Sequence, residues 1–418
     1  MKIDKKILLV ESEMLKPQGH FLDYLIETSI FFKNDRKILW FLNKNFNSSN
    51  LDLPYFCLIK KIIKSNIFHI KKNRILYFFE EIFFFITNIF NIFFFTFFFI
   101  KSINKLLVFY GLLLNNYFII PKYFKSFYLN YLKQNFNSND DIIFQSCRRK
   151  DLALIYFLSN LEKKILPKIH IRVFHLPNKR FKGFYFYINL LKKEIKNKKI
   201  FIYTEKGFKF NYLRNDLKTD ILINHTKPIF SFYSRASNPK KQVIGFVGEA
   251  RVNKGFNKIP EIIEMMDKLD SNIEFIIHAT DIGHNTRESL NKIFRLSKLN
   301  KNIKIINKYC NFSEYRSLLS QITIMPLLYD LDQINIGSGI LYSCVSHEII
   351  PIVPSNLNYL EDIMVQGSFL TANNLNDFCN KTSYIIKNYS DFIIKIKESS
   401  NKLKLSINED PLIKNILN

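Results

Sequence analysis

The sequence predicts an α/β protein of two doubly wound domains, each a parallel sheet wrapped by helices. Short apolar runs alternate with helix-length stretches along the chain, the pattern of βαβ units. The 418 residues exceed one ordinary domain and suit two of about 200 each. A polar, turn-rich stretch falls near the middle, at His225-Thr226-Lys227-Pro228 and Ser234–Lys241. The expected division is therefore 1–235 and 236–418.

In the first half, strands are expected at Ile7–Glu11, Lys37–Leu42, Ile142–Gln145, Ile169–Phe174, Ile200–Tyr203 and Asp220–Asn224. The opening run passes into a glycine-containing loop, and a helix begins near Gly19 and His20. The second half is more regular. Strands are expected at Val243–Val247, Ile273–His278, Ile303–Ile306, Ile322–Leu327, Ile350–Val353 and Ser368–Leu370. Helices fill the gaps at Lys258–Leu269, Thr286–Leu299, Ser313–Gln321, Ser338–His347 and Tyr359–Met364, and a long helix runs from about Leu375 to the end. Doubly wound sheets bind ligands beyond the carboxyl ends of their strands, so the loops after strands carry the functional question.

The net charge of +25, from 61 Lys+Arg against 36 Asp+Glu, points to an anionic partner. Two readings stand. Either the charge serves binding, or it reflects a sequence crowded with Lys, Asn, Ile and Phe, whose extra lysines sit on solvated faces. The lysines are scattered without a dense stripe and there is one Trp, so nucleic acid is not an expected partner. The five cysteines (Cys57, Cys147, Cys310, Cys344, Cys379) are odd in number and widely spaced. That pattern fits free thiols in a reducing compartment better than a disulfide framework or a zinc site. The first apolar run, Ile7 to Val10, is too short for a signal peptide, so a cytoplasmic location is expected.

A Phe-rich helical insertion at about 75–120 interrupts the first domain. Its core, residues 82–100, is 19 residues without a charge, and a second apolar run follows at Leu106–Ile120. A single span would put strands of one sheet on opposite sides of a bilayer. A hairpin of two spans is opposed by Asn115 and Asn116 in the second run. The favoured reading is helices packed on the domain, making peripheral contact with an anionic membrane face beside Lys101 and Lys105.

Two segments carry chemistry. In VIGFVGEARVNKGFNKIPEII, residues 243–263, a buried strand runs into Gly248 and a helix starts soon after Gly255. A diphosphate needs close backbone approach, a planar bidentate donor and a point charge. Gly248 and Gly255 would permit the approach, Arg251 would supply the fork and Lys254 the ammonium. The ordinary alternative is two solvated loop cations. In residues 327–355 a strand ends at Leu328, and Gly337-Ser338-Gly339 opens a helix whose N–H groups would face an anion. The ordinary alternative there is a Ser/Gly cap.

These residues resemble GT-B glycosyltransferases of the group-1, family-4 kind. GFVGEARVNKGF is similar to that family's Gly-x-x-Arg-x-x-Lys-Gly loop, and the Tyr-Asp…Gly-Ser-Gly-Ile-Leu…Pro-Ile-Val-Pro pattern to its later phosphate turn. The match covers residues 243–371, and Gln18-Gly19-His20 resembles the acceptor-side glycine loop. The resemblance implies two domains facing a cleft and a nucleotide-diphosphate sugar as co-substrate. It implies no separate cofactor and no metal. Arg251 and Lys254 would neutralise the diphosphate, with Gly248 in the same loop. Ser338, Gly339 and Ile340 would offer it N–H groups, and Gly19 would approach across the cleft.

The chain also departs from the family. Two glutamates common in it are replaced, the second by Ser343 or Cys344 and the first by Asn335 or Ile336. The glycine before the final proline is replaced by Glu348 or Ile349. Tyr329, Asp330 and Ser343 are assigned to the sugar and ribose pocket. Asp330-Leu331-Asp332 matches a short metal-binding pattern of two specified residues, which arises easily by chance. His175, after a strand, and His20, in the glycine loop, are the candidate catalytic groups at the acceptor.

The leading expectation is a transferase that moves a sugar onto a cell-surface polysaccharide or lipid-linked acceptor at the inner face of the membrane. The alternatives are a non-catalytic nucleotide-binding or scaffold protein, motivated by the missing glutamates, and a membrane-embedded protein defined by residues 82–120.

Overall fold

Strands buried on both faces favour continuous runs of β-branched and aliphatic residues, and such runs dominate this chain. In the computed structural model they form two wholly parallel sheets. The structure describes residues 5–11, 20–43, 58–63, 132, 136–147, 149–161, 167–173, 182–205, 213, 223–235, 241–269, 272–280, 282–329, 339–355, 357 and 360–417. The Phe-rich insertion lies outside them. Among the described residues, no helix is long and apolar enough to cross a membrane.

The first sheet comprises β1 (Lys6–Glu11), β2 (Lys37–Asn43), β3 (Leu58–Ile63), β4 (Asp141–Phe144), β5 (Lys168–Arg172), β6 (Ile200–Thr204) and β7 (Ile223–His225). Their order is β3-β2-β1-β4-β5-β6-β7. The second comprises β8 (Val243–Glu249), β9 (Glu274–Thr280), β10 (Ile303–Ile306), β11 (Ile324–Pro326), β12 (Ile350–Pro354) and β13 (Leu370–Ala372). Their order is β10-β9-β8-β11-β12-β13. Each order reverses once, between β1 and β4 and between β8 and β11. A reversal of this kind opens a crevice at the carboxyl ends of the two strands it separates.

β1 shows why the sheet is covered on both sides. Ile7 and Leu9 enter one core with Leu22, Leu25 and Ile26, while Leu8 and Val10 enter another with Leu152 and Ile155. The residues of the first group lie on α1 (His20–Phe32) and those of the second on α2 (Arg149–Leu161). Two short helices, α3 (Lys182–Leu190) and α4 (Lys192–Lys196), lead into β6. The second lobe carries α5 (Ile259–Leu269), α6 (His284–Leu299), α7 (Phe312–Gln321) and α8 (Gly339–Ser346). The start of α7 is fixed by a capping box. The Asn311 side chain accepts from the Glu314 N–H, and the Glu314 carboxylate accepts from the Asn311 N–H.

Several expectations are corrected. β3, with sequence LIKKII, is a strand that the sequence reading does not anticipate; its paired lysines suit the sheet edge it occupies. The helix expected at Tyr359–Met364 is a single 3-10 turn, Leu360–Asp362. The long terminal helix is three helices: α9 (Leu375–Lys387), α10 (Tyr389–Asn408) and α11 (Pro411–Leu417), the last starting on a proline.

The expected second domain, 236–418, also meets an exception at α11, which returns to the first sheet and packs on β7. There Arg36 Nη2 donates to the Ile416 carbonyl at 2.9 Å, and Asn415 Nδ2 donates to the Tyr203 hydroxyl at 2.9 Å. The chain thus crosses between lobes twice. Asp410 binds the two crossings together, accepting from the Lys227 N–H at 2.7 Å and the Thr226 hydroxyl at 3.1 Å. The four described cysteines, Cys147, Cys310, Cys344 and Cys379, are buried and free; Cys57 lies outside the described residues.

Candidate functional site

A pocket lies at the reversal of the second sheet, where β8 and β11 end side by side. Gly248, Glu249, Lys254, His278, Tyr329 and Ile340 line it. β8 runs two residues further than expected, so Gly248 and Glu249 belong to the strand and deliver the chain to the pocket mouth. Gly248 has φ 126°. A Cβ there would come 3.3 Å from Ile340 Cδ1, so α8 starts close against this backbone.

The loop that follows places both predicted cations at one carboxylate. Arg251 Nη2 is 2.8 Å from Glu249 Oε2, and Lys254 Nζ is 3.6 Å from the same oxygen. Arg251 is exposed and Lys254 is largely buried. Burial, then the Arg251 charge, hold the Lys254 ammonium below the usual lysine range, while Glu249 opposes both. The Thr286 hydroxyl anchors the loop by donating to the Ala250 carbonyl at 3.0 Å.

Gly255 departs from its expected role. It is left-handed (φ 76°), and a Cβ on it would lie 2.2 Å from the Leu328 carbonyl oxygen. Its bareness lets the loop pack against the end of β11, which shapes the pocket indirectly.

On the other wall, Gly339 opens α8 and Ile340 follows it into the pocket. Tyr329 lines the same space, half-buried. The Ser343 hydroxyl donates to the Gly339 carbonyl at 3.1 Å, within its own helix. Cys344, its alternative, is buried against Met325. Of the two positions that could replace the missing glycine, Glu348 has the left-handed backbone, φ 54°. Its carboxylate accepts from the Arg235 N–H at 2.7 Å. Ser338 and Asp330 lie outside the described residues, as do Gly19 and His175.

The reversal of the first sheet gathers a second polar group. Glu11, at the end of β1, accepts from the Ser146 hydroxyl at 2.6 Å. Beside it, Arg172 Nη1 donates to Gln145 Oε1 at 2.6 Å, and its guanidinium lies 5.6 Å from the Tyr24 ring centre. His20 opens α1, with Asp23 and Glu27 following at successive turns.

α1 meets the second lobe through Arg316 of α7. The guanidinium pairs with Glu27 and with the Tyr233 hydroxyl, and lies 3.8 Å from the Phe312 ring centre. Glu27 also accepts from the Ser231 N–H at 2.9 Å and hydroxyl at 2.7 Å. Tyr233 stacks on His347 at 4.5 Å.

Asp23 keeps some exposed surface, yet burial pushes its carboxyl up to about 7 against the pull of Arg316. Burial raises Tyr309 and Tyr315, both of the second lobe, and the Asp23 charge adds to it; Tyr315 packs against the pocket residue His278 at 5.9 Å. A carboxyl raised in the folded state stabilises the fold at pH below its unfolded value, near 4, and that contribution is lost as pH rises to about 7. Asp23→Asn is therefore expected to melt higher than the parent protein above pH 7, with the difference shrinking toward pH 4. The ceiling is about 4 kcal/mol for the full shift, reduced by solvent screening at the exposed edge. A pH-independent difference in Tm would refute the assignment.

Sequence reasoning missed Glu249, Asp23 and the Glu27–Arg316 pair. An acidic residue two positions before Arg251 was a visible signal for the first. For the pair, separated by 289 positions, there was none. Among the described residues no group of three His, Cys, Asp or Glu is placed to hold a metal ion, and Asp330 and Asp332 lie outside them.

No protein-family model matches the chain, and no curated protein matches it in sequence. Solved structures do match its fold. Sucrose-phosphate synthase from Thermosynechococcus elongatus is similar at 9% identity and TM-score 0.59, over 99% of this chain and 96% of that one. HepE from Anabaena, in complex with UDP and glucose, is similar at 11% identity and TM-score 0.56, over 99% and 97%. A glycosyltransferase from Rickettsia africae ESF-5 is similar at 14% identity and TM-score 0.55, over 99% of both chains. The chain therefore has the GT-B fold, two parallel α/β lobes, and at these identities the fold is what is shared.

Proposed function

We propose that the protein is a glycosyltransferase that takes its sugar from a nucleoside diphosphate sugar held at the end of β8. One observation carries this reading: Arg251 and Lys254 converge on one carboxylate oxygen at the switch point of the second sheet. The same pair of cations can grip a diphosphate there. HepE, a fold neighbour, is described in complex with UDP-glucose, which supports a nucleotide-sugar donor. Ser338, Gly339 and Ile340 would present N–H groups to the phosphates. Gly19 would approach across the cleft, and Tyr329, Asp330 and Ser343 would border the sugar and ribose.

The acceptor hydroxyl must lose a proton. His20, His175 and Asp23 are the candidate groups, and the Asp23 carboxyl, poised near neutral pH, suits proton acceptance. The acceptor is proposed to be a cell-surface saccharide or lipid-linked glycan. The Phe-rich insertion would bring the enzyme to the inner face of the membrane, in the cytoplasm. No cofactor or metal is invoked.

Lys254→Ala is expected to weaken nucleoside diphosphate binding by about a hundredfold or more, since it removes a largely buried charge from the phosphate grip. Calorimetry with UDP and other nucleoside diphosphates measures this, and unchanged affinity would overturn the donor assignment.

A second reading has its own support. Ser343 or Cys344 stands where the resembling family carries a glutamate, and in α8 the Ser343 hydroxyl is engaged by the Gly339 carbonyl while Cys344 is buried against Met325. A non-catalytic nucleotide-binding or scaffold protein would bind nucleotide sugars and release no sugar from a panel of them. The transferase reading requires such turnover.

A further inference from the structure

An anion site with two cations is not expected to carry its own carboxylate, yet Glu249 sits between Arg251 and Lys254 at 2.8 and 3.6 Å. Its side chain is 41% exposed at the end of β8, so it is free to turn toward solvent. Lys254 has the opposite situation. It is tucked beside Gly248, where a Cβ would be 3.9 Å from Nζ, and its ammonium faces the Arg251 charge. Two cations held together in a partly desolvated pocket repel one another, and the more buried one is driven to shed its proton.

We propose that Glu249 is the resident counter-ion of this site: it holds the Arg251 and Lys254 side chains together at 2.8 and 3.6 Å, and gives up its place to the diphosphate. The proposal rests on the reading that the pocket takes a nucleoside diphosphate. It adds a selectivity device to that reading. With Glu249 present the three side chains sum to one positive charge, so a weakly charged anion gains little by displacing the carboxylate. A diphosphate, with more charge and two phosphoryl groups to span both cations, gains enough. The pocket thereby sets a threshold: an anion that cannot engage both cations does not repay the displacement of the carboxylate.

The test compares the parent chain with Glu249→Gln, which keeps shape and loses charge, and Glu249→Asp, which keeps charge and shortens reach. Binding of inorganic phosphate, pyrophosphate and UDP is measured by calorimetry. The proton affinity of Lys254 is followed separately, by the pH dependence of its acylation read by mass spectrometry. Glu249→Gln is expected to bind all three anions about tenfold more tightly. Acylation of Lys254 should set in at lower pH in Glu249→Gln and near the parent value in Glu249→Asp.

Equal or weaker anion binding in Glu249→Gln, with unchanged Lys254 acylation, would overturn the counter-ion role and leave the donor reading standing. Absence of pyrophosphate and UDP binding in both parent and Glu249→Gln would overturn the donor reading and the displacement step with it. The acylation profile would then still report on the hold over Lys254.

Discussion

Gly255→Ala is expected to destabilise the second lobe by about 3 kcal/mol, from left-handed backbone and overpacking together. The left-handed conformation costs an alanine about 1–2 kcal/mol. The rest is steric. The added methyl would stand 2.2 Å from the Leu328 carbonyl oxygen and 2.4 Å from Leu328 Cβ. One of these atoms is backbone and neither belongs to a flexible tip, so the loop or the end of β11 must shift. Gly367→Ala provides the control. Its φ of 82° imposes a similar conformational cost, but the nearest atom, Lys395 Cγ, is 3.8 Å away. The expected fall in Tm is on the order of 10 °C for Gly255→Ala and a few degrees for Gly367→Ala. Because β11 lines the pocket, Gly255→Ala should also weaken the proposed nucleotide binding. Equal melting of the two variants would disprove the contact.

Arg316→Leu is expected to cost about 3 kcal/mol, because it leaves a buried carboxylate without its counter-charge. The Glu27 side chain is 5% exposed, against 17% for Arg316. That asymmetry sets the order of effects. Glu27→Leu frees a guanidinium that can turn toward water, so it should cost less, about 1–2 kcal/mol. The double variant should lose no more than Arg316→Leu alone, which gives a coupling of about 2 kcal/mol in a urea-denaturation cycle. Additive losses would mean that the two side chains act independently. Ser231 still donates twice to Glu27 in Arg316→Leu, which limits the damage.

The sheets were legible because each strand of a covered parallel sheet is a short apolar run in a polar surround. Ile303–Ile306 was expected and is observed without change. β3 was not legible because Lys60 and Lys61 interrupt its run, and edge strands tolerate that. The helices at the chain's end were merged because continuous helical periodicity hides breaks that depend on Asn388 and Pro411.

At the pocket, Arg251 and Lys254 were recognisable from local spacing, since a loop of a few residues after a strand confines them. Glu249 was overlooked because an anionic ligand directs attention to cations. Gly255 was visible, but whether a glycine serves a ligand or a neighbouring chain segment depends on what packs against it. Leu328, 73 positions away, is beyond local reading. So are Asp23 and the Glu27–Arg316 pair, whose properties come from the meeting of the two lobes.

The return of α11 to the first sheet has a mechanical consequence. Two lobes joined by one strand of chain can swivel as well as bend. Here residues 226–235 and the stretch around Asp410 run between the lobes side by side, and Asp410 fastens them through Thr226 and Lys227. A pair of straps pinned together resists torsion and leaves one easy motion, flexing about the line through both. The doubled connection thus resists twisting of one lobe against the other better than a single strand of chain would.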